Sequence, residues 1–163
     1  MPTLDAELAA FLDSGLSVMA STRDARLRPE TVRILALEAR PGEEEMTVFL
    51  PDAVSARMLE NLRDNGRIAV VASDPLDNRS VQLKGTMVSC QQATDLQLAA
   101  ADAYRAKMAR SLAQVGVPQG ILFRAQFWPA HAVRFRVEAI FLQTPGPAAG
   151  RPFDTLSPEK RER

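Results

Sequence analysis

Apolar and polar residues change their spacing several times along this chain, and each change marks an element. From Thr3 to Asp13, Leu4, Leu8, Phe11 and Leu12 recur at helical spacing, with Thr3 as cap, Glu7 in the first turns and Ser14-Gly15 as the stop. At Leu16 the period drops to two: Leu16, Val18 and Ala20 alternate with Ser17, Met19 and Ser21, the pattern of a half-buried strand. A turn at Asp24-Ala25-Arg26 leads to a second strand, Pro29 to Ala39, whose two faces both become apolar towards its end, as in a central barrel strand. An acidic Pro-Gly turn, Arg40 to Glu45, precedes a third strand, Met46 to Leu50, which Pro51-Asp52 stops. Ala53 to Asn65 returns to helical spacing through Val54, Met58, Leu59 and Leu62, and Asn65-Gly66 is a C-terminal cap signal.

The second half repeats the alternation. Arg67 to Asp74 and Arg79 to Cys90 read as strands across the turn Pro75 to Asn78, with a bulge or bend expected at Gly85. Gln92 to Val115 reads as the longest helix, with Leu96, Ala100, Ala103, Tyr104, Met108, Leu112 and Val115 on one face and Gly116-Val117-Pro118 after it. Ile121 to Trp128 and Ala132 to Gln143 read as two further strands joined by a tight turn through His131. Residues 144–163, rich in proline, glycine and charge, read as an extended tail, partly disordered at its end. The order α-β-β-β-α-β-β-α-β-β predicts a mainly β fold, with short connections that favour an antiparallel barrel with peripheral helices over a parallel sheet.

Composition narrows the function. The 163 residues suit one domain, and Lys plus Arg balance Asp plus Glu at 20 each, so no net field draws the protein to nucleic acid or an anionic membrane. Only Lys84, Lys107 and Lys160 are lysines; the arginine excess suits anion binding, but base composition of the genome explains it as simply. One cysteine, Cys90, and one histidine, His131, exclude an internal disulfide and a zinc cage. Cys90 reads as a small buried group. Apolar runs are too short for a membrane span, the N-terminus lacks a basic signal region, and a cytoplasmic setting is the default. Phosphate-loop, dinucleotide and nucleophile-elbow motifs are missing, and no carboxylate pair stands out.

One constellation remains. Arg33 lies in the second strand, Ser55 and Arg57 open the first internal helix, and Gln82 and Lys84 lie on the fifth strand. A helix start offers free N–H groups and a positive dipole end, a serine can cap it or donate to a phosphate, and flanking guanidinium groups would complete a dianion cradle. Taken alone, Ser55 reads as well as a plain cap and Arg57 as a solvated side chain.

RILAL (Arg33 to Leu37), the run Thr47 to Val71 and DPLDNRSVQLKG (Asp74 to Gly85) occur in the order and spacing of the pyridoxamine 5'-phosphate oxidase-like FMN-binding split-barrel family, which the chain resembles over residues 10–90 and loosely to 143. The resemblance implies a six- or seven-stranded antiparallel split barrel of Greek-key type over residues 1–143 and a homodimer with FMN at its interface. It implies phosphate contacts from Arg33, Ser55 and Arg57, with Gln82 or Lys84 nearby, and backbone contacts from Ile34 and Leu35 to the flavin ring. It also places Ser80 where a flavin-touching glutamine often stands. The chain departs from the family in having Arg57 for a lysine, Pro51 for a threonine and Glu38 for a lysine, and it lacks the C-terminal R-L-H-D-R-type segment. The resemblance therefore implies a flavin-dependent oxidoreductase acting on a small molecule rather than the vitamin B6 oxidase itself. A non-enzymatic flavin or haem binder, a coenzyme F420 user and a cofactor-free dimer are the alternatives. Trp128 reads as core or as a flavin or substrate pocket, with core favoured, and His131 as an exposed turn residue rather than a base or haem ligand.

Overall fold

The computed structural model describes residues 2–34 and 36–155. Among them the order is α1 (Ala6–Leu12), β1 (Ser17–Arg23), β2 (Pro29–Ile34), β3 (Leu37–Ala39), β4 (Glu45–Pro51), α2 (Ala56–Asn65), β5 (Arg67–Ser73), β6 (Ser80–Gln92), α3 (Asp95–Gln114), α4 (Gly120–Arg124), β7 (Ala130–Leu142) and a 3-10 turn, Phe153–Thr155. The strands form one antiparallel sheet in the order β2-β1-β5-β6-β7-β4-β3.

The edges of that sheet, β2 and β3, are separated in the chain by positions 35 and 36 alone. Laid flat, the outer strands of a seven-stranded sheet would lie roughly 29 Å apart, at about 4.8 Å per strand. Three consecutive Cα–Cα steps span about 11 Å at most. The sheet must therefore curl, and the Phe49 N–H donates to Ala36 O at 3.3 Å where the strand direction breaks. Inward-facing Val18, Val70, Leu83, Val133 and Phe135 are fully buried, and Leu4, just before α1, with Leu8 and Leu12 of α1 joins the same core. α2 lies across the end of the barrel where β1 finishes, held by Asn61 Nδ2 to Thr22 Oγ1 (3.0 Å) and Asn65 Nδ2 to Arg23 O (2.8 Å). Gly66, at φ 67°, ends α2 in the left-handed turn that Asn65-Gly66 predicts.

Several expectations are corrected. The single strand over 29–39 is two: the consecutive residues Ala36 and Leu37 are both buried, which breaks the alternation, and the chain changes partner from β1 to β4. α1 is capped by Asp5, whose carboxylate accepts from Leu8 N at 2.8 Å, rather than by Thr3. α2 begins at Ala56, so Val54 is exposed in the preceding turn and Asn61 is buried in its place. α3 starts after a capping box formed by Thr94 and Gln97, and its buried stripe is Ala101, Tyr104, Met108 and Ala109; Leu96 is 84% exposed. Residues 121–128 form no strand. Leu122 and Phe127 pack with Met108 and Ala109 instead, and the Arg105 guanidinium stacks 3.8 Å from the Phe127 ring. His131 lies inside β7 rather than in a turn. Residues 144–155 fold back on β7 rather than extending away, with Leu142 N donating to Arg151 O at 3.0 Å and Phe153 buried; the remainder of the tail lies outside the described residues.

The bulge expected at Gly85 is present, between Lys84 and Gly85. A Cβ there would collide with Arg136 O and lie 2.9 Å from the Phe135 ring. Gly85→Ala is expected to lower unfolding stability by about 1–3 kcal/mol, as overpacking does, read as a fall in the urea midpoint at unchanged slope.

Candidate functional site

Alternation along β1 decides which side chains face outward. Across the five strands β2-β1-β5-β6-β7, Arg33, Met19, Val71, Gln82 and Phe141 stand directly opposite one another in one row. Thr31, Ser21, Ala69, Lys84 and Ala139 form the next. These side chains are half-buried or exposed, and most are small, apolar or uncharged. At this face Arg33 donates to Ser17 Oγ (2.7 Å), Gln143 to Gln82 (3.4 Å), and Lys84 lies 4.8 Å from the centre of the Phe141 ring. Ser80, nearly buried at the top of β6, donates to Ser73 Oγ at 2.7 Å.

The start of α2 is a separate feature. Ser55 is 0% exposed, yet its Oγ has no hydrogen-bond partner and does not cap the helix. Its φ of −108° and ψ of 7° leave the extended region from which a cap hydroxyl turns back to the first N–H groups. The first turn carries no acid. It carries Arg57 instead, a cation at the positive end of the helix, three-quarters exposed and 3.7 Å from Glu30. An ion pair that long and that exposed contributes little.

The sequence-predicted residues thus fall into two groups. Ser55 and Arg57 share the helix start. Arg33, Gln82 and Lys84 share the outward sheet face, with Ser80 at its upper margin. Arg57 approaches β2 through Glu30, whose side of the strand is opposite to that of Arg33, so the two guanidinium groups have different partners. Arg33 and Gln82 are three strands apart, about 14 Å at the usual spacing. Ile34 is wholly buried in the core, and Leu35 lies outside the described residues. Trp128 is half-buried and packs against Phe49 with ring centres 6.4 Å apart, which is core-like packing.

Sequence reasoning missed two groupings. Ser21, Arg23, Arg67, Ala69, Lys84 and Glu138 line a shallow cavity of about 500 Å³ at the lower end of the outward face. Glu138 there is held below the usual carboxylate range, first by the 2.6 Å hydrogen bond from Thr86 Oγ1 and then by Arg67. The second is His131, whose Nδ1 meets Asp52 Oδ1 at 2.7 Å; the bland reading of a lone histidine hid it. Cys90 is unsuited to nucleophilic work, because burial pushes its thiol above the ordinary value. Among the described residues no group of three or more His, Cys, Asp or Glu side chains can hold a metal, and no helix is long and apolar enough to cross a membrane.

The curled sheet, its partner switch between β2 and β3 and the helix across one end define a split-barrel protein. The chain has the pyridoxamine 5'-phosphate oxidase-like split-barrel fold. A provisional pyridoxamine 5'-phosphate oxidase of Lactobacillus delbrueckii superposes with TM-score 0.55 at 16% identity, over 85% of this chain and 93% of that one. An FMN-binding protein of Syntrophomonas wolfei superposes with TM-score 0.53 at 11% identity, over 82% of each chain. A protein described as an F420 reductase superposes with TM-score 0.56 at 14% identity, over 86% of this chain and 98% of that one. No protein-family model matches the chain, and no curated protein matches it either.

Replacing a serine N-cap by alanine ordinarily costs about 1 kcal/mol. Here the hydroxyl is buried without a partner, so Ser55→Ala is expected to leave the ligand-free protein as stable as before, or up to about 2 kcal/mol more stable. A urea titration of the ligand-free protein showing a loss near 1 kcal/mol would give the hydroxyl a structural role instead.

Proposed function

We propose that this chain binds FMN and serves as a flavin-dependent oxidoreductase, with the phosphate anchored at the start of α2 and a second copy covering the outward sheet face. The observation that carries this reading is the Ser55 hydroxyl, buried and unpartnered beside the free N–H groups of a helix start. A buried hydroxyl without a partner costs stability, and a helix N-terminus without acids is built for an anion. A phosphate satisfies both: Ser55 Oγ and the first-turn N–H groups donate to its oxygens, and the Arg57 guanidinium offsets its charge. Arg33, which faces the other side of β2 and is bonded to Ser17, is left out of this cradle.

The bound flavin would supply the hydride or electron transfer, and this chain would bind it, orient it and exclude water. Gln82 and Lys84 present polar groups on the outward face where its ring system would be covered by the second copy, with the buried Ser80 at its margin. That face is too apolar at Met19, Val71 and Phe141 for a surface meant to stay in water, and a two-fold partner is the simplest cover. The fold shared with an FMN-binding protein and with an F420 reductase supports a flavin-type cofactor, and the phosphate-sized demand at Ser55 favours FMN over riboflavin.

Titration with FMN followed by flavin fluorescence is expected to show saturable binding at one equivalent per chain. Ser55→Ala combined with Arg57→Ala should weaken FMN at least tenfold and leave riboflavin unchanged, since one charge-assisted hydrogen bond is worth about 1.5–3 kcal/mol. Equal affinity of the double variant and the parent would remove the cradle. In sedimentation, Val71→Asp is expected to convert a dimer to monomers; a monomeric parent protein would overturn the interface.

A further inference from the structure

The segment that delivers Ser55 to its position is the short connection from β4 to α2, and its first residue, Asp52, is held from three sides. The Asp52 N–H donates to Pro129 O at 3.0 Å. Its Oδ1 meets His131 Nδ1 at 2.7 Å, and its Oδ2 accepts from Gln92 Nε2 at 3.4 Å. Gln92 Nε2 also donates to Ala130 O at 3.0 Å. His131 is paired on one side with Leu50 of β4 and on the other with Gln92 of β6. It therefore sits inside the thirteen-residue strand β7, fixed by ladders on both flanks. Val54 N–H donates back to Pro51 O at 3.2 Å, so the path from Asp52 to the buried Ser55 hydroxyl is a closed turn with little slack.

We infer that His131, acting through Asp52, is the positioning residue of the phosphate-binding turn. This rests on the flavin-phosphate reading above. A carboxylate only accepts, so His131 Nδ1 carries the proton in this contact. The short bond to His131 is the strong hold on the Asp52 side chain; the 3.4 Å contact to Gln92 is the weak one. Without the imidazole the carboxylate is free to rotate, and the turn loses its anchor to β7. His131 does not touch the phosphate itself. Its contribution is to hold Ser55 Oγ and the first N–H groups of α2 where an incoming anion finds them already placed. Being half-buried, with its ring bonded to an acid, the only histidine of the chain has a reason to be where it is.

The test compares the parent protein with His131→Ala and with His131→Asn, whose amide nitrogen can take the place of Nδ1. FMN and riboflavin are titrated into each, and amide hydrogen exchange is followed in the unliganded proteins. His131→Ala is expected to weaken FMN roughly tenfold, the scale of one lost charge-assisted hydrogen bond, with riboflavin unchanged. Exchange should quicken at residues 53–58 and stay as it was in β5 and β6, and His131→Asn should restore both readouts. Unchanged FMN affinity and exchange in His131→Ala would overturn the assignment. So would an equal loss for both ligands, or faster exchange throughout the barrel, since either would make His131 a general structural residue. If the parent binds neither flavin, the cofactor reading fails on its own. The exchange arm still decides whether His131 orders the turn: quickening confined to 53–58 supports it, and no change overturns it.

Discussion

Two residues join the opposite edges of a seven-stranded sheet, and most of what matters in this molecule follows from that short tether. It forbids a flat sheet. It leaves β2 as an edge strand beside the β3-β4 hairpin, so the barrel is split rather than fully laddered there. The chain that leaves β4 must then cross the open end, and it does so as a turn followed by α2. The candidate anion site is thus a product of closure: the helix begins where the barrel fails to seal itself.

That location explains why a polar atom is left unsatisfied. A serine entering a helix normally turns its hydroxyl onto the first N–H groups. Ser55 cannot, because Asp52 and Pro51 fix the turn before it and its backbone angles lie outside the capping region. A purely structural sequence would place alanine here and lose nothing. Keeping a buried, unpaired hydroxyl next to an arginine at the wrong end of a helix dipole is a local conflict. Such conflicts concentrate where a sequence serves a ligand as well as a fold.

The strands were legible because their period of two survives wherever one face is buried: β1, β5 and the first half of β6 alternate cleanly. Gly66 and Gly85 were legible because turns and bulges demand glycine for steric reasons that neighbouring residues cannot change. The helix faces were not. α3 is weakly amphipathic, so Leu96 and Val115 look like core residues in the sequence, while the barrel core takes Ala101 and Tyr104 and the segment after the helix covers Met108 and Ala109. Residues 121–128 have strand-like composition, but Arg105 stacking on Phe127 and Phe123 makes a short helix the better way to bury Leu122. At the site, the sequence picked out Ser55 and Arg57 by their place before a helix. It could not reveal that Ser55 lacks a partner, nor that His131 in β7 and Asp52 in the turn after β4, 79 positions apart, meet.

The same sheet that supplies the core also sets the character of its outer face. Inward positions of β1, β5 and the first half of β6 are buried, and their outward residues stand in aligned rows. Across those rows the charged groups lie towards the margins, Arg33 on one edge and Arg23, Arg67, Lys84 and Glu138 at one end, while Met19, Val71 and Gln82 occupy the middle. A surface selected only for solubility would scatter its charges through the centre. On the dimer proposed above, the second copy would cover this middle and meet the charges at its rim. The polar groups of Gln82 and Ser80 on this face are bonded within the chain, to Gln143 and Ser73. On the reading proposed above, a phosphate would instead be met at the helix start, by the Arg57 guanidinium and the backbone dipoles, away from that face.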